Sequence, residues 1–128
     1  MPTAGERAPL VTDSSITEVS GLMRFGSVVR LRPEAAAEYL RLHEQVWPDV
    51  EAMLTKANLR NYTIFLFGDL LFGYYEYVGD DYDADQAMIA ADPTTQRWWE
   101  LTAPCQEQLA GTPSGLQWAP MAQVWHLD

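Results

Sequence analysis

The residues best suited to chemistry lie in one short stretch, EYLRLHEQVWPDVEAML, at residues 38–54. The stretch has the apolar spacing of a helix, yet one face carries Tyr39, His43 and Trp47 where a core helix normally has aliphatic side chains. Tyr39 and His43 are four residues apart, so they lie on the same helix face. The ordinary pKa of histidine is close to neutrality, which suits proton transfer. The alternative is that Tyr39 packs in the core and His43 is a structural histidine.

Two further stretches combine aromatic and polar side chains. In QRWWEL, Trp98 and Trp99 are adjacent, and neighbouring helical residues point about 100° apart, so one indole can pack while the other lines a cleft. Indole faces and a few polar groups are a usual way to hold a sugar ring. Asn61 and Tyr62 form another candidate pair at the start of a strand. Alternatively, the tryptophans form a bulky helix-to-sheet contact, and the Asn-Tyr pair is a turn residue followed by an ordinary strand aromatic.

The balance of charged residues excludes some partners. The 128-residue chain has 18 acidic residues against 8 lysines and arginines, for a net charge of −10. Phosphate binding needs a basic surface, so neither nucleic acid nor an anionic membrane is expected as a partner. The lone cysteine, Cys105, is expected to be a buried, inert thiol. No metal site is predicted, because His43 and His126 lack ligand-like spacing and the acidic run at residues 80–85 lacks the features of a calcium loop.

The elements that must position these residues follow a simple order. Strand patterns occur at residues 24–31, 60–67, 70–78 and 119–127, and helical patterns at residues 32–46, 48–58 and, with a break at Pro93, 79–109. The Trp47–Pro48 step is expected to bend or end the first helix. Gly68 and Asp69 alone separate the two middle strands, which predicts a hairpin. This order predicts an α+β, ferredoxin-like βαββαβ fold, with helices covering one face of an antiparallel sheet.

Both faces of the predicted sheet are apolar. In the strand at residues 60–67 one side carries Tyr62, Ile64 and Leu66, and the other carries Thr63, Phe65 and Phe67. A solvated face would alternate with charged residues. We therefore expect a second subunit to pack on the open face as a two-fold homodimer. A ligand cavity between sheet and helices is a competing and compatible explanation.

The start of the chain is expected to lie outside the fold. Residues 1–22 are rich in proline, serine, threonine and glycine, which predicts a flexible extension before a single domain at residues 23–128. Neither a signal-peptide pattern nor an apolar run long enough to span a membrane occurs in the sequence. The sequence therefore leads us to expect a soluble, cytoplasmic protein.

Three motifs together resemble a known family. In their order and spacing, EYLRLHEQVWP, NYTIFL and QRWW resemble the L-rhamnose mutarotases, and the resemblance covers residues 24–128. It implies a dimeric α/β barrel and an enzyme without a cofactor that interconverts the α and β anomers of L-rhamnopyranose. The resemblance also implies that His43 is the catalytic acid. The implied sugar-binding residues are Tyr39, Tyr62, Trp98 and Trp99, with Trp47 and Asn61 as further candidates for lining the pocket.

The implied chemistry accounts for the unusual helix face. Opening a pyranose ring requires a proton on the ring oxygen and removal of the proton from the anomeric hydroxyl. His43 is expected to donate to the ring oxygen, while Tyr39, Tyr62 or a water accepts the anomeric proton. L-Fucose is the alternative sugar, and the alternative functions are a non-catalytic small-molecule-binding protein or a cofactor-free monooxygenase on the same scaffold. The long start of the chain and the tight central hairpin depart from the family pattern and bear on which sugar is used.

Overall fold

The computed structural model describes residues 22–128, so the predicted extension lies outside the described residues except for Leu22. Within this range one sheet is formed by five strands, β1 (Met23–Leu31), β2 (Leu59–Phe67), β3 (Leu70–Tyr77), β4 (Gln106–Glu107) and β5 (Ala119–Met121). The α-helices are α1 (Ala36–His43), α2 (Pro48–Lys56), α3 (Tyr82–Ala91) and α4 (Pro93–Thr102). Short 3-10 turns occur at Pro33–Ala35 and Ala103–Cys105.

The sheet has the topology that the order of elements predicts. Its strand order is β2-β3-β1-β4, and β5 also pairs with β1. Every pairing is antiparallel, and the central ladder of β1 and β3 runs from Met23 opposite Tyr77 to Arg30 opposite Leu70. Helices α1 and α2 connect β1 to β2, and helices α3 and α4 follow β3. The ferredoxin-like α+β prediction is therefore confirmed.

The last strand is shorter than its sequence pattern indicates. The prediction of a strand over residues 119–127 is wrong beyond Met121, because β5 pairs with β1 only from Ala119 to Met121. The apolar alternation behind the prediction includes Val124, Trp125 and Leu127, which are 94%, 75% and 72% exposed. Strand propensity reflects packing against neighbouring residues, and these side chains have no surface to pack against in the single chain.

Prolines mark where three helical segments begin. Pro33, Pro48 and Pro93 start the first 3-10 turn, α2 and α4, where a missing N–H loses no hydrogen bond. The predicted break at the Trp47–Pro48 step is confirmed, since Trp47 is extended, with φ −62° and ψ 130°. Helix α1 already ends at His43, which therefore stands in the last turn of that helix.

A β-bulge in β2 decides which of its side chains face the helices. Residues 61 and 62 lie together opposite one residue of β3, and Asn61 adopts a left-handed φ of 53°. The extra residue reverses the alternation of the strand. Leu59 before the bulge and Tyr62 within it consequently pack in the same cluster.

The core lies between the sheet and the helices. Its first buried cluster contains Val29, Leu31, Tyr39, Leu71, Cys105 and Trp118. Its second contains Ala57, Leu59, Tyr77 and Ile89, and its third contains Leu42, Val50 and Trp98. Cys105 is buried and free, as the sequence predicts, and burial raises the pKa of its thiol. Two residues of the predicted site, Tyr39 and Trp98, are therefore held rigidly by core packing.

Candidate active site

A cavity of about 460 Å³ opens between the sheet and the helices. Its volume is typical of sites for small molecules. In the middle of the sheet the small residue Ser27 lines the cavity, and the Trp118 indole packs over its partner Gly73. All five residues that the family resemblance assigns to catalysis and sugar binding line the cavity: Tyr39, His43, Tyr62, Trp98 and Trp99.

The aromatic face of α1 forms one wall of this cavity. The rings of Tyr39 and His43 stack with centroids 4.3 Å apart, and Trp98 approaches His43 edge-on at 5.4 Å. His43 Nδ1 lies 2.9 Å from the carbonyl oxygen of Tyr39. Because a carbonyl oxygen only accepts, Nδ1 carries the proton, and Nε2 of the neutral ring keeps its lone pair for a ligand.

The surroundings shift the pKa values of both residues on this wall. Burial lowers the pKa of His43 below its ordinary value of 6.5, and the hydrogen bond to the Tyr39 carbonyl opposes that shift. Burial raises the pKa of Tyr39 to about 12, opposed by the hydrogen bond that Gln106 Nε2 donates to its hydroxyl at 3.5 Å. At neutral pH His43 is therefore mainly an uncharged base, whereas Tyr39 keeps its phenolic proton.

The paired tryptophans of α4 reach the cavity from different directions. Trp98 is 6% exposed and packs edge-on against Trp47, with ring centroids 5.2 Å apart. Trp99 is half-buried and packs against the clusters of both Trp98 and Tyr77. Both indoles line the cavity, so neither is only a packing contact between helix and sheet.

A second aromatic group lines the cavity from the sheet and α3. The rings of Tyr62 and Tyr75 lie 5.1 Å apart, and Phe25 stacks on Tyr82 at 4.6 Å. The hydroxyl oxygens of Tyr75 and Tyr82 are hydrogen-bonded at 2.5 Å. These rings combine apolar faces with hydroxyl groups, which suits a ligand that has both C–H surfaces and polar edges.

Two candidates from the sequence lie outside the cavity lining. Trp47 packs behind Trp98, so it supports an indole of the wall without reaching the cavity. Asn61 is itself the left-handed residue of the bulge, and its side chain is turned away from the cavity. Its Nδ2 donates a hydrogen bond to Glu76 Oε1 at 2.9 Å. The pocket-lining role expected of both residues is therefore not supported by their positions.

The cavity also contains polar residues that sequence reasoning missed. Gln86, Gln106 and Trp118 line it, although none lies in the three motifs. Gln86 lies within a helical pattern of otherwise ordinary composition, and Trp118 follows a polar turn. No local signal identifies them, because long-range pairing and packing bring them to the site.

The acidic run at residues 80–85 has structural uses. Asp81 caps α3 by accepting from the backbone N–H of Ala84 at 3.2 Å, and Asp85 accepts from the Tyr77 hydroxyl. Within residues 22–128, no group of three or more His, Cys, Asp or Glu side chains is placed to hold a metal ion. In the same part of the chain, no helix is long and apolar enough to cross a membrane.

The family model and the related sequences agree on one family. The family model for L-rhamnose mutarotase matches residues 24–127. An L-fucose mutarotase from Xanthomonas campestris pv. campestris is 36% identical over 113 residues, covering 84% of this chain and 90% of the relative. An L-rhamnose mutarotase from Opitutus terrae is 31% identical over 113 residues, covering 84% of this chain and all of the relative, 100%.

Solved structures share the fold. An L-rhamnose mutarotase from Formosa agariphila superimposes with a TM-score of 0.65 at 19% identity, covering 83% of this chain and 99% of that one. Tetracenomycin F2 cyclase from Streptomyces glaucescens, a type-II polyketide cyclase, gives a TM-score of 0.57 at 21% identity over the same shares of 83% and 99%. The fold is that of the dimeric α/β barrel proteins.

The sequence matches and the shared fold define the class as mutarotases, which are isomerases that interconvert the anomers of a carbohydrate. More particularly, the chain belongs to the L-rhamnose mutarotase family, which confirms the resemblance carried by its three motifs.

We expect His43 to make the fold less stable in mild acid. Its pKa is lowered in the folded protein relative to about 6.5 in an unfolded chain, so the unfolded chain binds this proton first as the pH falls. The free energy of unfolding is therefore retained above about pH 6.5 and decreases as the pH falls toward the pKa of the folded state.

Urea unfolding of three proteins from about pH 8 to about pH 5 tests this expectation. His43→Gln removes the buried imidazole, and His126→Gln is the control for loss of a histidine in the exposed C-terminal segment. The wild type and His126→Gln should lose more stability over this interval than His43→Gln. Three parallel curves would contradict the desolvation of His43.

Proposed function

We propose that this protein is an L-rhamnose mutarotase, which interconverts the α and β anomers of L-rhamnopyranose. The observation that carries the proposal is the placement of His43. Its Nδ1 donates a hydrogen bond to the Tyr39 carbonyl oxygen, which leaves Nε2 free to contact the substrate. The Tyr39 phenol lines the same cavity. Family membership supplies the class of substrate, and the geometry supplies the proton-transfer group.

Ring opening moves one proton between two oxygens bonded to the same carbon. The proton of the anomeric hydroxyl passes to Nε2 of His43, the electron pair of that O–H bond forms the aldehyde C=O, and the bond from C1 to the ring oxygen breaks. The imidazolium then donates its proton to the departing ring oxygen. Rotation about the C1–C2 bond and the reverse steps give the other anomer, with no net change in protons or electrons.

The pKa shifts support this assignment of roles. Burial keeps the His43 imidazole mainly neutral at pH 7, so it has to gain a proton before it can donate one to the ring oxygen. The anomeric hydroxyl supplies that proton within the same complex. Tyr39, whose pKa is raised to about 12, keeps its own proton and is better suited to hydrogen-bond a sugar oxygen than to act as the base.

The rest of the cavity suits a neutral sugar. We assign Tyr62, Trp98 and Trp99 to sugar binding, because their aromatic faces can pack against the C–H surfaces of a pyranose. Among the described residues that line the cavity there is no lysine or arginine, and Glu51 is the only charged side chain. A sugar phosphate would therefore find no cation to pair with, which favours an unphosphorylated substrate.

L-Rhamnose and L-fucose are the two candidates for the substrate. Both are neutral 6-deoxy-L-hexoses, and they differ in the configuration of some hydroxyl groups. The match of the family model over residues 24–127 favours L-rhamnose. The relative from Xanthomonas campestris pv. campestris, an L-fucose mutarotase at 36% identity, makes L-fucose the second candidate.

We also propose that the protein acts as a homodimer through the outer face of the sheet. Phe65 and Phe67 project from the face opposite the helices and are 64% and 79% exposed, and Trp125 in the C-terminal segment is 75% exposed. Monomeric proteins rarely expose large apolar patches. A two-fold pairing of the same face on each chain would bury these aromatic side chains.

Two coarser assignments complete the proposal. We assign residues 23–128 to one catalytic domain. The free thiol of Cys105, the single cysteine of the chain, is compatible with a reducing compartment, and we propose the cytoplasm as the place of action.

Exchange between the anomers of L-rhamnose, followed by proton NMR, tests the proposed activity. Wild type should accelerate exchange, and His43→Ala should lose about 10²-fold or more of the acceleration, because the proton-transfer group is gone. His126→Ala, which removes the other histidine, should keep the wild-type rate. Parallel tubes contain L-fucose or no protein, and the more strongly accelerated sugar identifies the substrate.

The same experiment separates the mutarotase from the alternatives. Acceleration that persists in a folded His43→Ala protein would contradict the role of His43. No acceleration of either sugar by the wild type would contradict the mutarotase and favour a non-catalytic binding protein.

The homodimer predicts a solution mass twice that of the 14.5 kDa chain. Phe67→Asp should shift the mass toward that of one chain, because it buries a charge in the proposed interface. Leu101→Asp is the matched control, since Leu101 lies on α4, away from the sheet face, and is 42% exposed. Sedimentation equilibrium measures all three proteins, and a wild type with the mass of a single chain would contradict the dimer.

A further inference from the structure

Two buried nitrogen atoms have no hydrogen-bond partner within the described part of the chain. They are Nε1 of Trp118 and Nε2 of Gln86. Both residues line the cavity described above. Buried polar groups are hydrogen-bonded in the great majority of cases, and a buried donor without a partner lowers stability. A ligand oxygen bound in the cavity would supply the missing acceptor for each.

The sheet holds Trp118 in one position. Its side chain is 7% exposed, and it immediately precedes β5, whose pairing with β1 fixes the backbone. A Cβ on Gly73 would lie 3.1 Å from Cζ3 of the indole, so the ring packs directly against the backbone of β3. The six-membered ring of the indole makes this contact, and the N–H belongs to the other ring. Packing against Gly73 therefore does not account for the N–H.

Gln86 occupies an equally unusual position on α3. It is one turn after Tyr82 and three residues before Ile89, so the three side chains share one face of the helix. Tyr82 stacks on Phe25 of β1, and Ile89 is 4% exposed, so this face is directed toward the sheet. Gln86 thus places an amide on an inward face, and the Nε2 of this amide gains no hydrogen bond from the described residues.

The two donors belong to different parts of the cavity wall. Trp118 packs in the cluster that contains Tyr39, whereas Gln86 is on the helix that contributes Ile89 and Tyr82 to another cluster. A pyranose carries hydroxyl groups around its whole edge. One bound sugar can therefore offer oxygens to both donors while its anomeric carbon lies near His43.

We infer that Trp118 and Gln86 are sugar-binding residues whose N–H groups donate hydrogen bonds to substrate hydroxyl oxygens and help to distinguish one 6-deoxy-L-hexose from another. This inference rests on the proposed function. A site built to pair with a substrate hydroxyl discriminates against a sugar that presents the hydroxyl elsewhere, because the buried donor is then left unpaired. Neither residue lies in the three motifs that carry the family resemblance.

Conservative variants test the two donors. Gln86→Met keeps about the same side-chain volume and removes the amide N–H groups, and Trp118→Phe keeps an aromatic ring and removes the indole N–H together with part of the indole volume. Gln45→Met is the matched control at an exposed position outside the cavity, and Trp125→Phe is the matched control for loss of an indole outside the cavity, on the proposed dimer face. Calorimetry with L-rhamnose should give a Kd about two- to tenfold higher for each cavity variant, and the controls should match the wild type. The ratio of the Kd values for L-rhamnose and L-fucose should also change in the cavity variants.

A spectroscopic readout separates sugar binding from a purely structural role. The chain has five tryptophans, and the indole N–H signal of Trp118 is identified by its loss in Trp118→Phe. In proton–nitrogen correlation spectra this signal should shift on addition of L-rhamnose, while that of Trp125 stays in place. A tryptophan that only fills space would show no such shift beyond that of the control.

The outcomes distinguish this inference from the proposed function. Unchanged Kd values in both cavity variants of an active enzyme would overturn the inference alone. A wild type that binds L-rhamnose without accelerating anomer exchange, with higher Kd values in the cavity variants, would overturn the mutarotase and retain the two donors. A wild type that binds neither sugar would overturn both.

Discussion

The hydrogen bond between Nδ1 of His43 and the carbonyl oxygen of Tyr39, at 2.9 Å, determines how the rest of the site can work. It fixes the tautomer of the imidazole, so that Nε2 is the nitrogen available to a ligand. The bond depends on the four-residue spacing within α1, which also stacks the two rings at 4.3 Å. A local property of one helix therefore sets the direction in which a proton can move.

The remainder of the fold buries the His43 imidazole and keeps a cavity open beside it. Trp98 and Tyr39 bury the imidazole, and the resulting loss of solvation keeps it mainly neutral. Gly73 makes room for the Trp118 indole in the middle of the sheet, and the small side chain of Ser27 beside it leaves room for the cavity. The bulge in β2 then turns Tyr62 toward that space. Empty volume in the core is thus a built feature that three separate elements maintain.

The buried nitrogens of Trp118 and Gln86 are a further consequence of the cavity, because an empty cavity leaves them without a hydrogen-bond acceptor. The exposed aromatic side chains of the outer sheet face are a comparable feature at the level of assembly. In both cases the isolated chain has groups whose natural partner is another molecule. A sugar inside the cavity and a second chain on the sheet are the partners that the chemistry of these groups favours.

The features that could be predicted from the sequence are those with local causes. Three such causes each act over only a few residues: the proline positions, the Gly68–Asp69 hairpin and the four-residue spacing of Tyr39 and His43. The order of the strands and the aromatic face of α1 could therefore be predicted. The features that could not be predicted depend on register. One extra residue in β2 moves Asn61 out of the site, a reversal that no composition pattern reveals.

Long-range packing explains the other differences. Trp118 reaches the cavity only because β5 pairs with β1, and the strand expected beyond Met121 is missing because its apolar side chains have no surface to cover within one chain. Helix α1 ends at His43, earlier than the proline alone requires, and Trp47 lies behind Trp98. The position of each of these residues depends on which elements pack together in the fold. A local sequence pattern does not specify that packing.

NMR of the nitrogen-labelled imidazole tests most directly whether neutral His43 presents an unprotonated Nε2 to the substrate. The proton–nitrogen couplings and shifts report which ring nitrogen carries the proton, and a titration gives the pKa. We expect the Nδ1–H form at neutral pH and a pKa of His43 below the ordinary 6.5. A ring protonated at Nε2, or one that remains an imidazolium at neutral pH, would contradict it.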